Sequence, residues 1–279
     1  MAALSVIVIE PSRGWVSLRL RDLWEYRELL YFLVWRDVKV RYKQTALGIA
    51  WIVLQPVVSM VIFSVLFGRL LEVPSGGVPY PIFAYAALLP WNYFAASLSR
   101  SSTSVVGSAH LITKVYFPRL VIPISGVLSG LVDFGVAFLV LIGLMVYYRV
   151  SPTPAAVLLP AFLLLAMFTA LGFGLWLSAL NVRFRDVNYL IPFLVQIWMY
   201  LTPVVYGSAL IPERFRWLLG LNPMAGVVEG FRWALLGHRL ADAQAPGVLF
   251  IVSIAITLLV LVSGAIFFRR TEDSFADII

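Results

Sequence analysis

From Gln44 to Gly68 the chain carries no charged side chain. At ~1.5 Å of rise per residue, a helix of that length crosses the ~30 Å hydrocarbon layer of a bilayer. Apolar runs of similar character cover 48–70, 81–99, 120–148, 155–181, 189–210 and 246–268. The sequence therefore predicts an all-α integral membrane protein with six transmembrane helices. Gly, Pro and Ser recur inside these runs, as membrane helices tolerate. Composition agrees, with 61% of the 279 residues apolar and 13% charged, where a soluble domain has roughly a quarter charged. Disorder is excluded on the same ground.

The net charge of +7 is distributed as in a membrane protein rather than a nucleic-acid binder. Eight of the 21 basic residues precede Gln44, interleaved with acids, and the rest lie in short gaps between apolar runs. With the N-terminus in the cytoplasm, segments 1–43, 100–119, 182–188 and 269–279 hold 15 of the 21. The positive-inside rule thus places both termini in the cytoplasm. The loop 211–245 runs against it, with four arginines outside. Three parts follow: a cytoplasmic N-terminus (1–43), a six-span domain (44–268) and a cytoplasmic tail (269–279).

The short apolar stretch at 2–9 precedes charged residues and does not read as a signal peptide. The segment 18–42 reads as an amphipathic interface helix. Leu23, Tyr26, Leu30 and Leu33 share one face, and Arg21, Glu25, Glu28 and Arg36 the other. Such a helix is expected in the headgroup layer, with Trp24 and Trp35 as anchors. The loop before the last span breaks at Asn222-Pro223 into two pieces too short to cross, which predicts two re-entrant outer helices within about 212–236. Irregular backbone at that depth must be buried in protein or face water, so the pair is expected to line or close a cavity.

Chemistry of its own is not written in the chain. Cys is absent, and His110 and His238 lie far apart, so no thiol site and no metal site is expected. No phosphate-cradling Gly-x-x-x-x-Gly-Lys-Ser/Thr, no His-Glu-x-x-His and no Gly-x-Ser-x-Gly occurs. Asp133 is the one charge deep in a span, which argues against ion coupling. It is expected to face the bundle, paired or protonated, in a structural role. Gly126-x-x-x-Gly130 in the same span is weak evidence for a dimer seam. These features describe a conduit driven from elsewhere.

Four stretches carry a resemblance that covers nearly the whole chain. They are Arg36-Asp37-Val38-Lys39-Val40-Arg41-Tyr42-Lys43-Gln44-Thr45 with Leu47-Gly48; Lys114-Val115-Tyr116-Phe117-Pro118-Arg119-Leu120; Met199-Tyr200-Leu201-Thr202-Pro203-Val204-Val205-Tyr206; and Asn222-Pro223-Met224. With this order of parts, the chain resembles the membrane subunit of type-2 ABC exporters, more narrowly the branch that exports O-antigen, teichoic acid and related polysaccharides. The resemblance implies a homodimer in the bacterial cytoplasmic membrane. It would work with two ATPase subunits, which hold the ATP and magnesium, and this chain would need no cofactor.

The resemblance also implies roles. Arg36, Lys39, Arg41 and Lys43 would meet the headgroup of a lipid-linked glycan. A coupling helix at about 109–117 would dock on the ATPase through His110, Lys114, Tyr116 and Arg119. Tyr189, Phe193, Gln196 and Tyr200 recur on one face of span five. Trp51, Gln55 and Ser59 do so on span one, Tyr85 and Asn92 on span two, and Tyr206 lies near the outer end of span five. Rings pack on the apolar faces of sugars and amides bond hydroxyls, so these residues are candidates for a substrate channel. Helix packing with polar glue is the alternative. A drug or small-lipid exporter of the same superfamily, a membrane-embedded glycosyl- or acyltransferase, and a non-transporting assembly factor remain open at this stage.

Overall fold

A computed structural model describes residues 20–43, 48–237 and 247–278. The stretch 2–9, Gln44, Thr45, Leu47, His238 and the end of the outer loop fall outside these residues. Helices α1 (Leu20–Glu25) and α2 (Arg27–Lys43) come first, then α3 (Gly48–Phe63), which continues as a wider π-helical stretch to Leu70. Next are α4 (Tyr80–Gly107), the one-turn α5 (Ala109–Ile112), α6 (Val121–Leu128) and α7 (Gly130–Tyr147). After them come α8 (Leu159–Arg183), α9 (Val187–Leu201), α10 (Glu213–Leu221), α11 (Pro223–Leu236), α12 (Val248–Thr271) and α13 (Phe275–Ile278). No strand occurs among the described residues.

Among the described residues, four stretches are long and apolar enough to cross a membrane: Ala50–Leu70, Val121–Tyr147, Pro154–Arg183 and Val248–Thr271. The chain is thus an all-α, multi-pass membrane protein. The two remaining expected spans differ from these for physical reasons. Helix α4 carries Asn92, Ser97, Ser99 and Arg100, which lower its hydropathy. It is nevertheless the central post, buried at every residue from Ile82 to Trp91 and packed on α3, α6, α7, α8 and α11. Helix α9 is shorter than the expected 189–210. It ends at Leu201, because Pro203 forces the preceding Thr202 into an extended conformation (ψ 136°). Its 15 residues rise only about 22 Å, less than the ~30 Å hydrocarbon thickness.

Apolar burial gives little drive for helix association in lipid, so close approach through small residues takes its place. Helices α8 and α12 cross at Gly172 and Gly264, where a Cβ on Gly172 would lie 2.8 Å from the Leu261 backbone nitrogen. Gly126 and Gly130 serve the same end inside the chain, against Ser101 and Arg100 of α4. The sequence-based suggestion that they form a dimer seam is corrected accordingly.

The N-terminal helices also differ from expectation. Leu33 is buried, and Leu23, Tyr26 and Leu29 pack against a cluster of Ile112, Phe117, Val182, Phe268 and Phe275. The aliphatic face therefore seals on protein, and the outward face carries Trp24, Tyr31, Phe32 and Trp35. Aromatic rings flanked by Arg27 and Lys39, which sit over Trp24 and Trp35, form a surface suited to headgroups.

Candidate translocation site

Helix α9 has two unlike faces. Trp198 turns inward, edge-on to Phe94 and Phe173 with ring centroids 4.9 and 4.8 Å apart, and its indole N–H donates to Asn222 Oδ1 at 2.8 Å. Tyr189, Phe193, Gln196 and Tyr200 turn outward; Tyr189 is 82% exposed and Tyr200 57%. The predicted stripe is therefore one continuous face, clear of the chain's own core. On α3, Trp51 and Gln55 are exposed and Ser59 is half-buried.

Tyr85 does not join them. It is 0% exposed and donates its hydroxyl to the Ala137 carbonyl at 3.1 Å, so it is a core residue and its expected channel role is corrected. The 3.6-residue period that aligns it with Asn92 cannot distinguish a core face from a lumen face. Asn92 is half-buried and shares a cavity of about 270 Å³ with Gln55, between α3, α4 and α7. Leu89, Phe134 and Ala137 form its apolar wall, and Arg100 and Asp133 its polar end.

Asp133 is ion-paired. Arg41 and Tyr42 of α2 both donate to its carboxylate, as does Arg100 of α4 at 3.0 Å. Arg100 also reaches the Gly126 carbonyl at 3.2 Å, and Arg41 reaches Ser129 Oγ at 3.4 Å. Burial, and then the Asp133 carboxylate, push the Tyr42 hydroxyl up to about 12, so it remains a proton donor. Arg100 lies twenty residues along α4 from Tyr80, about 30 Å at ~1.5 Å per residue. Asp133 is level with it, twelve residues from Val121 and fourteen from Tyr147 at the ends of its own apolar stretch, and beside the last turn of α2. Sequence spacing left this partner set unread, because Arg41 and Asp133 are 92 residues apart.

At the other end of α9 stands a residue that sequence reading passed over. Arg232 of α11 is 4% exposed. It donates to the carbonyls of Pro203 (2.6 Å), Tyr206 (3.0 Å), Phe83 (3.3 Å) and Val204. Its guanidinium lies 3.8 Å from the centroid of the Phe83 ring. One side chain thus satisfies the backbone of the turn that ends α9. The sequence signal was present: this Arg is one of those that ran against the positive-inside rule.

The Asn222-Pro223-Met224 stretch acts beside it. Asn222 caps α11 through Met224 N at 3.1 Å and donates to Thr202 Oγ1 at 2.9 Å. Tyr206 lies in this turn rather than on α9, its hydroxyl donating to the Tyr200 carbonyl at 3.0 Å. The expected pair of short helices is present as α10 and α11. Helix α11 is largely buried against α4, α8 and α12, and α10 is mostly exposed.

At the α5 end, the expected helix over 109–117 shortens to one turn, Ala109–Ile112. The β-branched and aromatic residues before Pro118 are disfavoured in helix, and Thr113 Oγ1 donates back to the Ala109 carbonyl at 3.1 Å. Ile112 and Phe117 anchor the loop from below, and its outer surface presents His110, Lys114 and Tyr116, the last 64% exposed. Arg119 is half-buried and lines a hollow of about 240 Å³ with Lys114 and Tyr116. Among the basic residues of α2, Lys39 and Lys43 are exposed. Arg36 pairs with Asp37 at 2.9 Å, and Arg41 is committed to Asp133. Among the described residues, no three His, Asp or Glu side chains group to hold a metal ion.

The family model described as ABC-2 type transporter matches residues 28–236. The chain is 32% identical over 257 residues to the O-antigen export system permease protein RfbA of Myxococcus xanthus, covering 91% of this chain and 96% of that one. It is 23% identical over 247 residues to the polysialic acid transport protein KpsM of Escherichia coli, covering 86% and 92%. To the inner membrane transport permease YadH of Escherichia coli K12 it is 25% identical over 190 residues, covering 65% and 74%.

Proposed function

The chain belongs to the ABC-2 type transporter family as a permease, and we propose that its cargo is a lipid-linked polysaccharide of the O-antigen kind. Permeases of this family pair with ATPase subunits; in this reading two ATPases, holding ATP and magnesium, drive a dimer of this chain. The observation that carries the cargo assignment is the outward stripe of Tyr189, Phe193, Gln196 and Tyr200 on α9. The stripe runs beside the exposed Leu190, Leu194, Ile197 and Leu201, and adds rings and an amide to an otherwise aliphatic face. It matches a sugar chain, whose apolar faces stack on aromatics and whose hydroxyls bond amides. The names of the RfbA and KpsM relatives point to the same class of cargo.

In this reading α3, α4, α6–α7, α8, α9 together with the turn held by Arg232, and α12 make six spans in a bacterial inner membrane, with both termini in the cytoplasm. Trp51, Gln55 and Ser59 of α3 and the α9 stripe face the path, Asn92 and Gln55 widen it, and Tyr206 stands at its outer end. Helices α10 and α11 dip into the outer half of the bilayer and close the path there. Lys39 and Lys43 meet the lipid phosphate. The loop carrying His110, Lys114, Tyr116 and Arg119 docks on the ATPase, whose closure moves α4. Deleting the gene is expected to remove surface polysaccharide and leave lipid-linked glycan on the cytoplasmic side, with both effects reversed by the wild-type chain. Normal surface polysaccharide in the deletion strain would refute the cargo assignment.

A further inference from the structure

We infer that Asp133 is a positioning residue that ties the coupling loop to the base of the first span. This rests on the reading of the chain as an ATP-driven permease. The observation is one of convergence. The Asp133 carboxylate, on α7, accepts from Arg100 of α4 and from Arg41 and Tyr42 of α2. Arg100 is held in place from behind by the Gly126 carbonyl, and Gly130 leaves the space its guanidinium occupies, which a Cβ would fill.

Each arm of the junction leads to a working part. Arg100 precedes the end of α4 at Gly107 by seven residues, about 10 Å of continuous helix at ~1.5 Å per residue, and α5 with the Lys114–Arg119 loop follows directly. Helix α2 ends at Lys43, one residue beyond Tyr42, and α3 begins five residues later, at Gly48, with Trp51 in its first turn and Gln55 about a turn further on. A shift of the coupling loop along α4 therefore reaches α2, which packs on α3, through the Asp133 carboxylate, beside the packing of α2 and α4 on α6. The same carboxylate forms the polar end of the cavity lined by Gln55 and Asn92, so the junction and the widening of the path share a wall.

Charge makes this a junction that can open. Arg41 and Arg100 converge on one carboxylate oxygen, Asp133 Oδ2, with Tyr42 on the other. With the carboxylate present each is paired; without it two guanidinium groups face each other across a partly buried space and repel. Asp133→Asn keeps the shape and an acceptor but removes the charge. The double variant Asp133→Asn/Arg41→Gln removes the repulsion as well, so it guards against a simple failure to fold while still lacking the bridge.

The test uses the full complex with its ATPase in proteoliposomes, with spin labels on cysteines replacing the exposed residues Val40 and Val106. In the otherwise wild-type complex the 40–106 distance is expected to stay a single narrow distribution with and without trapped nucleotide, because the two helices move together. In both Asp133 variants it is expected to broaden or split on nucleotide trapping. ATP hydrolysed per glycan exported should rise by roughly two- to thirty-fold, the range over which mutations modulate coupling. Asp133→Glu should restore both readouts in part. If both variants merely lower the amount of folded complex, with the distance distribution and the ratio per folded complex as in wild type, the inference is overturned. The distance measurement needs no glycan: a wild-type complex that exports none would sink the cargo assignment and leave this inference standing or falling on the labels alone.

Discussion

Replacing Arg232 by Met tests whether the outer end of the bundle is organised as described. The thioether fills most of the side chain's volume but donates nothing. The carbonyls of Phe83, Pro203, Val204 and Tyr206 lose a charged donor in a buried site, where each unpaired acceptor costs about 1–3 kcal/mol. The stacking on Phe83 at 3.8 Å adds about 2 kcal/mol for a desolvated cation–π contact. Relief from burying a guanidinium returns several kcal/mol, which leaves a net loss of about 3–5 kcal/mol. At about 2–4 °C per kcal/mol for a chain approaching this size, detergent-solubilised Arg232→Met should melt on the order of 10 °C lower than wild type. Arg232→Lys keeps the charge but not the fork, holds fewer carbonyls, and should fall between the two. A melting temperature for Arg232→Met within about 2 °C of wild type, on that same scale, would refute the role given to this side chain.

Tyr200→Ala and Gln196→Ala should lower export with little change in melting, because both side chains are exposed in the chain. Tyr85→Ala should do the opposite, costing about 3–5 kcal/mol by analogy with aromatic truncation in cores, with export per folded molecule retained; thermal melting and surface glycan on the same preparations separate the two. Lys114→Ala with Tyr116→Ala should reduce co-purification of the ATPase and export together while insertion is normal; unchanged co-purification would remove the docking assignment. The chain has no cysteine, so single cysteines report topology directly. One replacing the exposed Thr113 should react only from the cytoplasmic side and one replacing Ser151, exposed in the loop between α7 and α8, only from outside, and the reverse pattern would invert the orientation.

What could be read in the sequence followed from local chemistry. Uncharged length gave the long helices, and Asn222-Pro223 gave the break between α10 and α11, because a cap and a fixed φ act within a few residues. The α9 stripe was legible because four residues at helical spacing must share a face. Which way a face turns was not. Tyr85 and Tyr200 look alike in sequence; one is sealed under α7 and the other stands clear. Likewise the Leu23, Tyr26 and Leu33 face was legible as apolar, but whether lipid or protein covers it depends on Ile112, Phe117 and Phe275, which lie far away in the chain. Arg41 and Arg232 were counted as charges at an interface. Their partners, a carboxylate 92 residues on and a ring of carbonyls from 26 to 149 residues back, belong to the tertiary fold alone.

The central claim is that this permease moves a lipid-linked polysaccharide, and the most direct measurement is ATP hydrolysis by the complex of this chain with its ATPase in proteoliposomes, titrated with purified lipid-linked glycan. Hydrolysis should require both chains, rise with the glycan and not with a small amphiphilic drug or added phospholipid, and lose that rise in Tyr200→Ala. Stimulation by the drug or phospholipid but not by the glycan would contradict it.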